Sequence, residues 1–177
     1  MKSKLISLSA IAAAFVALAL VIGAYVELAD ICSLVLSSVF AMMPLYYKSY
    51  KASVLAALAG GLIAFMCSGF NIMSIVFPSF IAFFGVYPIV RFKLSEMKFK
   101  VWLIYIIGAI WCLLTVYGIY FYYTLVMNIP IGDLPYWIAE NILYFIAPIG
   151  LMVYFIYDKF LVVSKLIMDK YLTRIVK

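Results

Sequence analysis

Tyr136, Glu140 and Tyr144 stand at i, i+4 and i+8 in the stretch PYWIAENILYFIAP, with Asn141 beside the acid and Trp137 beside the first ring. Residues four apart share one face of a helix, and Pro148 roughly prolongs that face. An acid, an amide and aromatic rings converging on one helix is a common way to hold a small polar ligand. The polar groups fix its orientation and the rings supply area. The competing reading is an interfacial glutamate solvated by headgroups, with Asn141 bonded to a neighbouring helix, and both readings stay open. Asp30 and Asn71 are the other polar groups expected on the same side. The candidate ligand site is therefore Glu140, Asn141, Tyr144, Tyr136, Trp137, Asp30 and Asn71. Ser33 and Ser37 are expected to bond back to their own helix.

Catalytic chemistry has less to build on. The chain has no histidine for acid–base work or metal ligation. It shows no GxSxG, HExxH or phosphate-cradling glycine loop. Cys32, Cys67 and Cys112 sit singly in apolar runs and read as structural. No catalytic residue, metal site or cofactor is expected. An enzyme would need two carboxylates close together at one depth.

The elements that must carry these residues follow from composition. Of 177 residues 69% are hydrophobic and 11% charged, and mean hydropathy is +1.22. A soluble domain would need far more polar surface, so lipid is the solvent that fits. Backbone groups in lipid must be satisfied internally, which makes each long apolar run a helix. Six spans of roughly the required 20 residues are expected, at about 5–26, 31–46, 52–66, 72–90, 101–127 and 136–157. The first run exceeds a signal-peptide core of about 7–15 residues and is expected to be retained. The 39 uncharged residues from Ala52 to Val90 are too long for one crossing and must turn at CSGFN.

Charge supports the same count. Threading six spans places all thirteen Lys and Arg on one side: the N-terminus, YYKSYK, RFKLSEMKFK and the segment after Tyr157. The other connections, ELAD, SGFN and NIPIGDLP, hold none. Basic residues favour the cytoplasmic side, so both termini are expected in the cytoplasm and the chain in the plasma membrane. Topology then accounts for the net charge of +6 without a nucleic-acid partner. Glu96, Asp158 and Asp169, among the cations, read as neutralised structural acids.

The last segment, 158–177, keeps a helical spacing with Lys165, Asp169 and Thr173 on one face and Phe160, Ile167, Met168, Tyr171 and Ile175 opposite. It reads as an amphipathic helical tail, lying on the anionic leaflet or docking a cytoplasmic partner. Small-residue stripes recur in the first helix (Ser9, Ala13, Ala17, flanked by Ala10 and Ala14) and in the third (Ala52, Ala56, Gly60 and Ser53, Ala57, Gly61). Such stripes let helices approach closely in lipid. They serve packing within the bundle, or one of them faces a partner.

The whole chain is an all-α membrane bundle that resembles the S-components, the substrate-binding subunits of energy-coupling factor (ECF) transporters. The likeness rests on six spans, both ends inside, AIAAAFVA in helix one, the basic loop after FFGVYPIVRFKL and the ending YDKFLVVSKLIMDKYL. It implies uptake of a small molecule, such as a vitamin or its precursor, from the outer side. It also implies partnership with a membrane coupling subunit and two ATPase subunits. The coupling subunit would meet helix one at Ala10 and Ala14 or at Ala13 and Ala17. ELAD is short for a loop that commonly helps close the pocket, and the lack of histidine argues against nickel or cobalt as cargo. The alternative function is a small membrane scaffold or a regulatory or assembly subunit, in which the region around Glu140 is filled by side chains.

Overall fold

A computed structural model describes residues 2–70, 74–126 and 136–176, and among them every element is helical. Seven α-helices run α1 Lys2–Tyr25, α2 Asp30–Ala41, α3 Tyr50–Cys67, α4 Val76–Ser79, α5 Tyr87–Glu96, α6 Val101–Phe121 and α7 Tyr136–Val176. A 3-10 helix, Met43–Tyr47, extends α2, while π-helical turns at Phe80–Phe84 and Tyr122–Val126 join α4 to α5 and extend α6. Six of the resulting helical segments are long and apolar enough to cross a membrane: Ser3–Tyr25, Asp30–Tyr47, Tyr50–Cys67, Val76–Glu96, Val101–Leu125 and Tyr144–Thr173. Large apolar side chains such as Leu55, Leu62, Ile110 and Leu114 are exposed along the outside, as suits a bundle solvated by lipid.

Helices α1, α2 and α3 pack through small residues. Ala13, Ala17, Ala56 and Ala57 are buried, as are Ser37 and Ser53. At Gly60 a Cβ would lie 2.7 Å from the Ala13 carbonyl oxygen and from Val16 Cβ, so only glycine lets α3 come this close to α1. Tyr25 at the end of α1 donates to the Cys67 carbonyl at the end of α3, which places these two ends together. Gly69 and Phe70 then turn the chain with positive φ.

The fourth span is irregular for a reason written in its prolines. Pro88 has no N–H, so the Phe84 carbonyl four residues earlier has no helical donor; Ser38 Oγ lies 2.8 Å from it and 2.8 Å from the Leu34 carbonyl, so its one proton is shared between the two. The π-helical turn also displaces the Ala82 carbonyl, which accepts from Trp111 Nε1 at 2.9 Å. Wide turns of this kind survive in a bundle because neighbouring helices satisfy the freed groups.

Two expected boundaries move. The fourth span continues through Arg91 and Lys93 to Glu96, so only the stretch after Glu96 is loop and Arg91 belongs to a helix. The sixth helix does not end at Tyr157. Residues 158–176 continue α7, and Leu161, Met168 and Leu172 are buried in the same cluster as Met42, Leu45 and Leu8. Thr173 meets the Tyr46 hydroxyl at 3.5 Å. The tail is therefore the packed end of a 41-residue helix and not a separate one lying apart.

Candidate functional site

Among the described residues, the most polar place inside the bundle is where α5 meets α7. Tyr87 and Arg91 are one helical turn apart on α5, and Tyr154 and Asp158 are one turn apart on α7, so each pair shares a face. Asp158 is fully buried and Arg91 is 9% exposed. Arg91 Nε donates to Asp158 Oδ1 at 2.9 Å and Arg91 Nη2 to Oδ2 at 3.2 Å, a two-pronged ion pair. Tyr87 Oη donates to the same Oδ1 at 2.6 Å. That uses the Tyr87 proton, so the 3.0 Å contact with Tyr154 Oη is made by the Tyr154 proton, for which the Tyr105 carbonyl at 3.2 Å competes. Both carboxylate oxygens are engaged. Burying one of these charges alone would be costly, whereas the paired and hydrogen-bonded arrangement is tolerated.

Rings surround the pair. Phe83 stacks on Tyr87 with centroids 4.8 Å apart, and Tyr154 meets Tyr87 edge-on at 5.7 Å. Gly108 of α6 lies against both tyrosines, where a Cβ would sit 2.8 Å from Tyr87 Cε2. Tyr157 donates to Ser38 Oγ at 2.8 Å and so ties α7 to α2.

Directly beyond this cluster is a cavity of about 330 Å³ between the fourth, fifth and sixth spans. Ile75, Phe83, Thr115, Ile146, Gly150 and Tyr154 are among its walls, with Tyr157 beside Tyr154. Among the described residues its lining is apolar except for a few hydroxyls and the Cys112 thiol. The Thr115 hydroxyl donates to Trp111 O at 3.0 Å. The cavity therefore offers rings and aliphatic walls, with the Tyr154 and Tyr157 hydroxyls bonded within the protein and the Arg91–Asp158 charges cancelled below.

The predicted ligand residues are distributed differently. Asn141 and Tyr144 are both exposed, Tyr144 at 79%, and neither lines the cavity. At about 100° per residue, Tyr144 lies some 140° around α7 from the face that carries Ile146, Gly150 and Tyr157. Asp30 is half-buried at the start of α2 and also does not reach the cavity. Asn71 lies outside the described residues, and so do the side chains of Tyr136, Trp137 and Glu140. On α1, Ala13 and Ala17 are buried within the chain, whereas Ala10 and Ala14 are exposed. Ser33 and Ser37 bond the carbonyls of Asp30 and Leu34, within their own helix, at 2.8 Å each.

By local rules Arg91 reads as a loop cation and Asp158 as a tail acid, because each stands at the end of an apolar run. The signal that reveals the ion pair is a matched spacing: Tyr-x-x-x-Arg closing one apolar run and Tyr-x-x-x-Asp closing another. Asp158 takes its partner 67 residues away in sequence, while Asp169 takes Lys165 one turn away at 2.9 Å. Among the described residues no three His, Cys, Asp or Glu side chains gather as metal ligands. No protein-family model, curated protein or solved structure matches the chain.

Proposed function

We propose that this chain is a membrane-embedded substrate-binding subunit that takes up a small molecule with the help of separate coupling and ATPase subunits. The observation that carries the reading is the cavity of about 330 Å³ held between three candidate spans, floored by Tyr154 and Tyr157. Pockets of roughly 300 Å³ and above, mainly apolar with a few placed hydroxyls, suit small ligands. On this reading the basic end of the bundle is the cytoplasmic side, both termini lie there, and the cargo enters from the other side of the plasma membrane. Because Arg91 and Asp158 neutralise each other beneath the floor, the cargo is neutral and ring-bearing, as a vitamin or vitamin precursor can be. A charged cargo would find no counter-charge among the described lining residues.

The exposed Ala10 and Ala14 are the surface left for a coupling subunit, since Ala13 and Ala17 are occupied by α3. The test is purification of the tagged chain from its own cells. Wild type should co-elute with a membrane protein and an ATP-hydrolysing pair, and Ala10→Leu with Ala14→Leu should lose both while the chain stays folded. A wild-type chain that elutes with no ATPase activity would turn the reading toward a scaffold.

A further inference from the structure

A second hollow lies on the other side of the fourth span and shares no lining residue with the cavity. It is a groove of about 350 Å³ between α3 and the fourth span, apolar along its whole length, with walls that include Val54, Leu58, Phe65, Pro78, Ile81 and Ile89. Two glycines keep it open. A Cβ on Gly61 would come within 3.2 Å of Phe80 Cε1, and one on Gly85 within 3.1 Å of the same ring atom. Any larger side chain there would project into the groove.

Its length and polarity say what fits. From Val54 to Phe65 α3 rises about 17 Å at 1.5 Å per residue, a little over half of a hydrocarbon core about 30 Å thick. The groove therefore has the reach of one leaflet. At the basic end, Lys51 lies one turn before Val54, and Lys93 lies one turn after Ile89, so each continues its groove face. Both lysines are exposed. Glu96 of α5 sits against the Tyr50 hydroxyl of α3, which draws these two helix ends together. Among the described residues Glu96 is the acid at this mouth and it has a tyrosine partner, and the two ammonium groups stand at the basic end of an apolar slot.

We infer that this groove binds an anionic phospholipid of the leaflet at the basic end, one acyl chain between Gly61 and Gly85 and its phosphate between Lys51 and Lys93. Basic sites between membrane helices at the cytoplasmic side select lipids of this charge. A helix from a second copy or another protein could cover the same apolar walls, but its affinity would not follow the two lysines.

The test uses the full chain, delipidated in mild detergent and titrated with phosphatidylglycerol or phosphatidylcholine of identical acyl chains, with bound lipid counted by native mass spectrometry. Wild type should bind phosphatidylglycerol roughly tenfold more tightly. Lys51→Gln with Lys93→Gln should bring the two lipids to parity while phosphatidylcholine binding persists. Gly61→Leu should weaken both; if it does not fold, Leu58→Trp, at a position 53% exposed, fills the slot from the outside. Equal affinities in wild type, a preference that survives loss of both lysines, or unchanged binding in the filled groove would each overturn the assignment. So would a lipid-independent dimer that occupies the groove.

Discussion

The two halves of the bundle are held together by opposite means. Helices α1 to α3 meet through alanine, serine and glycine, with backbones close enough that Gly60 has no room for a methyl group. The fourth, fifth and sixth spans meet through large side chains, Phe83, Tyr87, Tyr154 and Tyr157, and through the Arg91–Asp158 pair. Small residues let α1 and α3 meet closely along this seam. Large rings hold helices apart, and where they end a cavity remains. The cavity lies in the second half, and its floor is the same cluster that keeps that half together.

The comparison breaks most visibly at Asp158. Asp158→Ala leaves the Arg91 guanidinium buried without its partner and should cost about 3–5 kcal/mol, read as a lowered midpoint of thermal unfolding in detergent. Asp158→Leu with Arg91→Met removes both charges and should recover most of that loss. If the single and double variants are equally impaired, the pair is not the clasp between α5 and α7. In the first half the sensitive position is Gly60. Gly60→Leu forces α3 from α1 and should cost about 1–3 kcal/mol, with no change in any ligand bound by the cavity. Tyr154→Phe removes one hydroxyl from the floor and should cost about 1 kcal/mol. The smallest effect belongs to Ser95, exposed near the end of α5. In a chain with Cys32 and Cys67 replaced by serine, Ser95→Cys should fold normally and resist impermeant thiol reagents applied to intact cells; labelling from outside would reverse the orientation.

Much of the first half was legible in the sequence. Uncharged runs set the six spans, and the small-residue spacing in α1 and α3 marked the close crossing, because both follow from local composition. What the sequence concealed depends on contacts between distant segments. Arg91 and Asp158 each sit at the end of an apolar run, so by local rules they read as a loop cation and a tail acid. Only their approach across 67 positions makes them a buried pair. The same holds for α7, whose cations at Lys159, Lys165 and Lys170 read as a tail lying on the leaflet or docking a partner. Leu161, Met168 and Leu172 instead bury one stripe of it against the ends of α1 and α2. Tyr144 shares a helix face with position 140 by its i+4 spacing, but that spacing does not say which way the face points. The cavity begins on another face, at Ile146.

The binding reading meets its most direct test in the small molecules that leave with the protein. Gently purified wild type and Gly150→Phe, which fills the cavity where a Cβ has its nearest neighbour 3.7 Å away, would be extracted and compared by mass spectrometry. A neutral, ring-bearing compound near equimolar amount in wild type, reduced at least about tenfold in the variant, is the expected result. Extracts of both proteins holding the same compound in equal amount, or nothing beyond lipid and detergent, would contradict it.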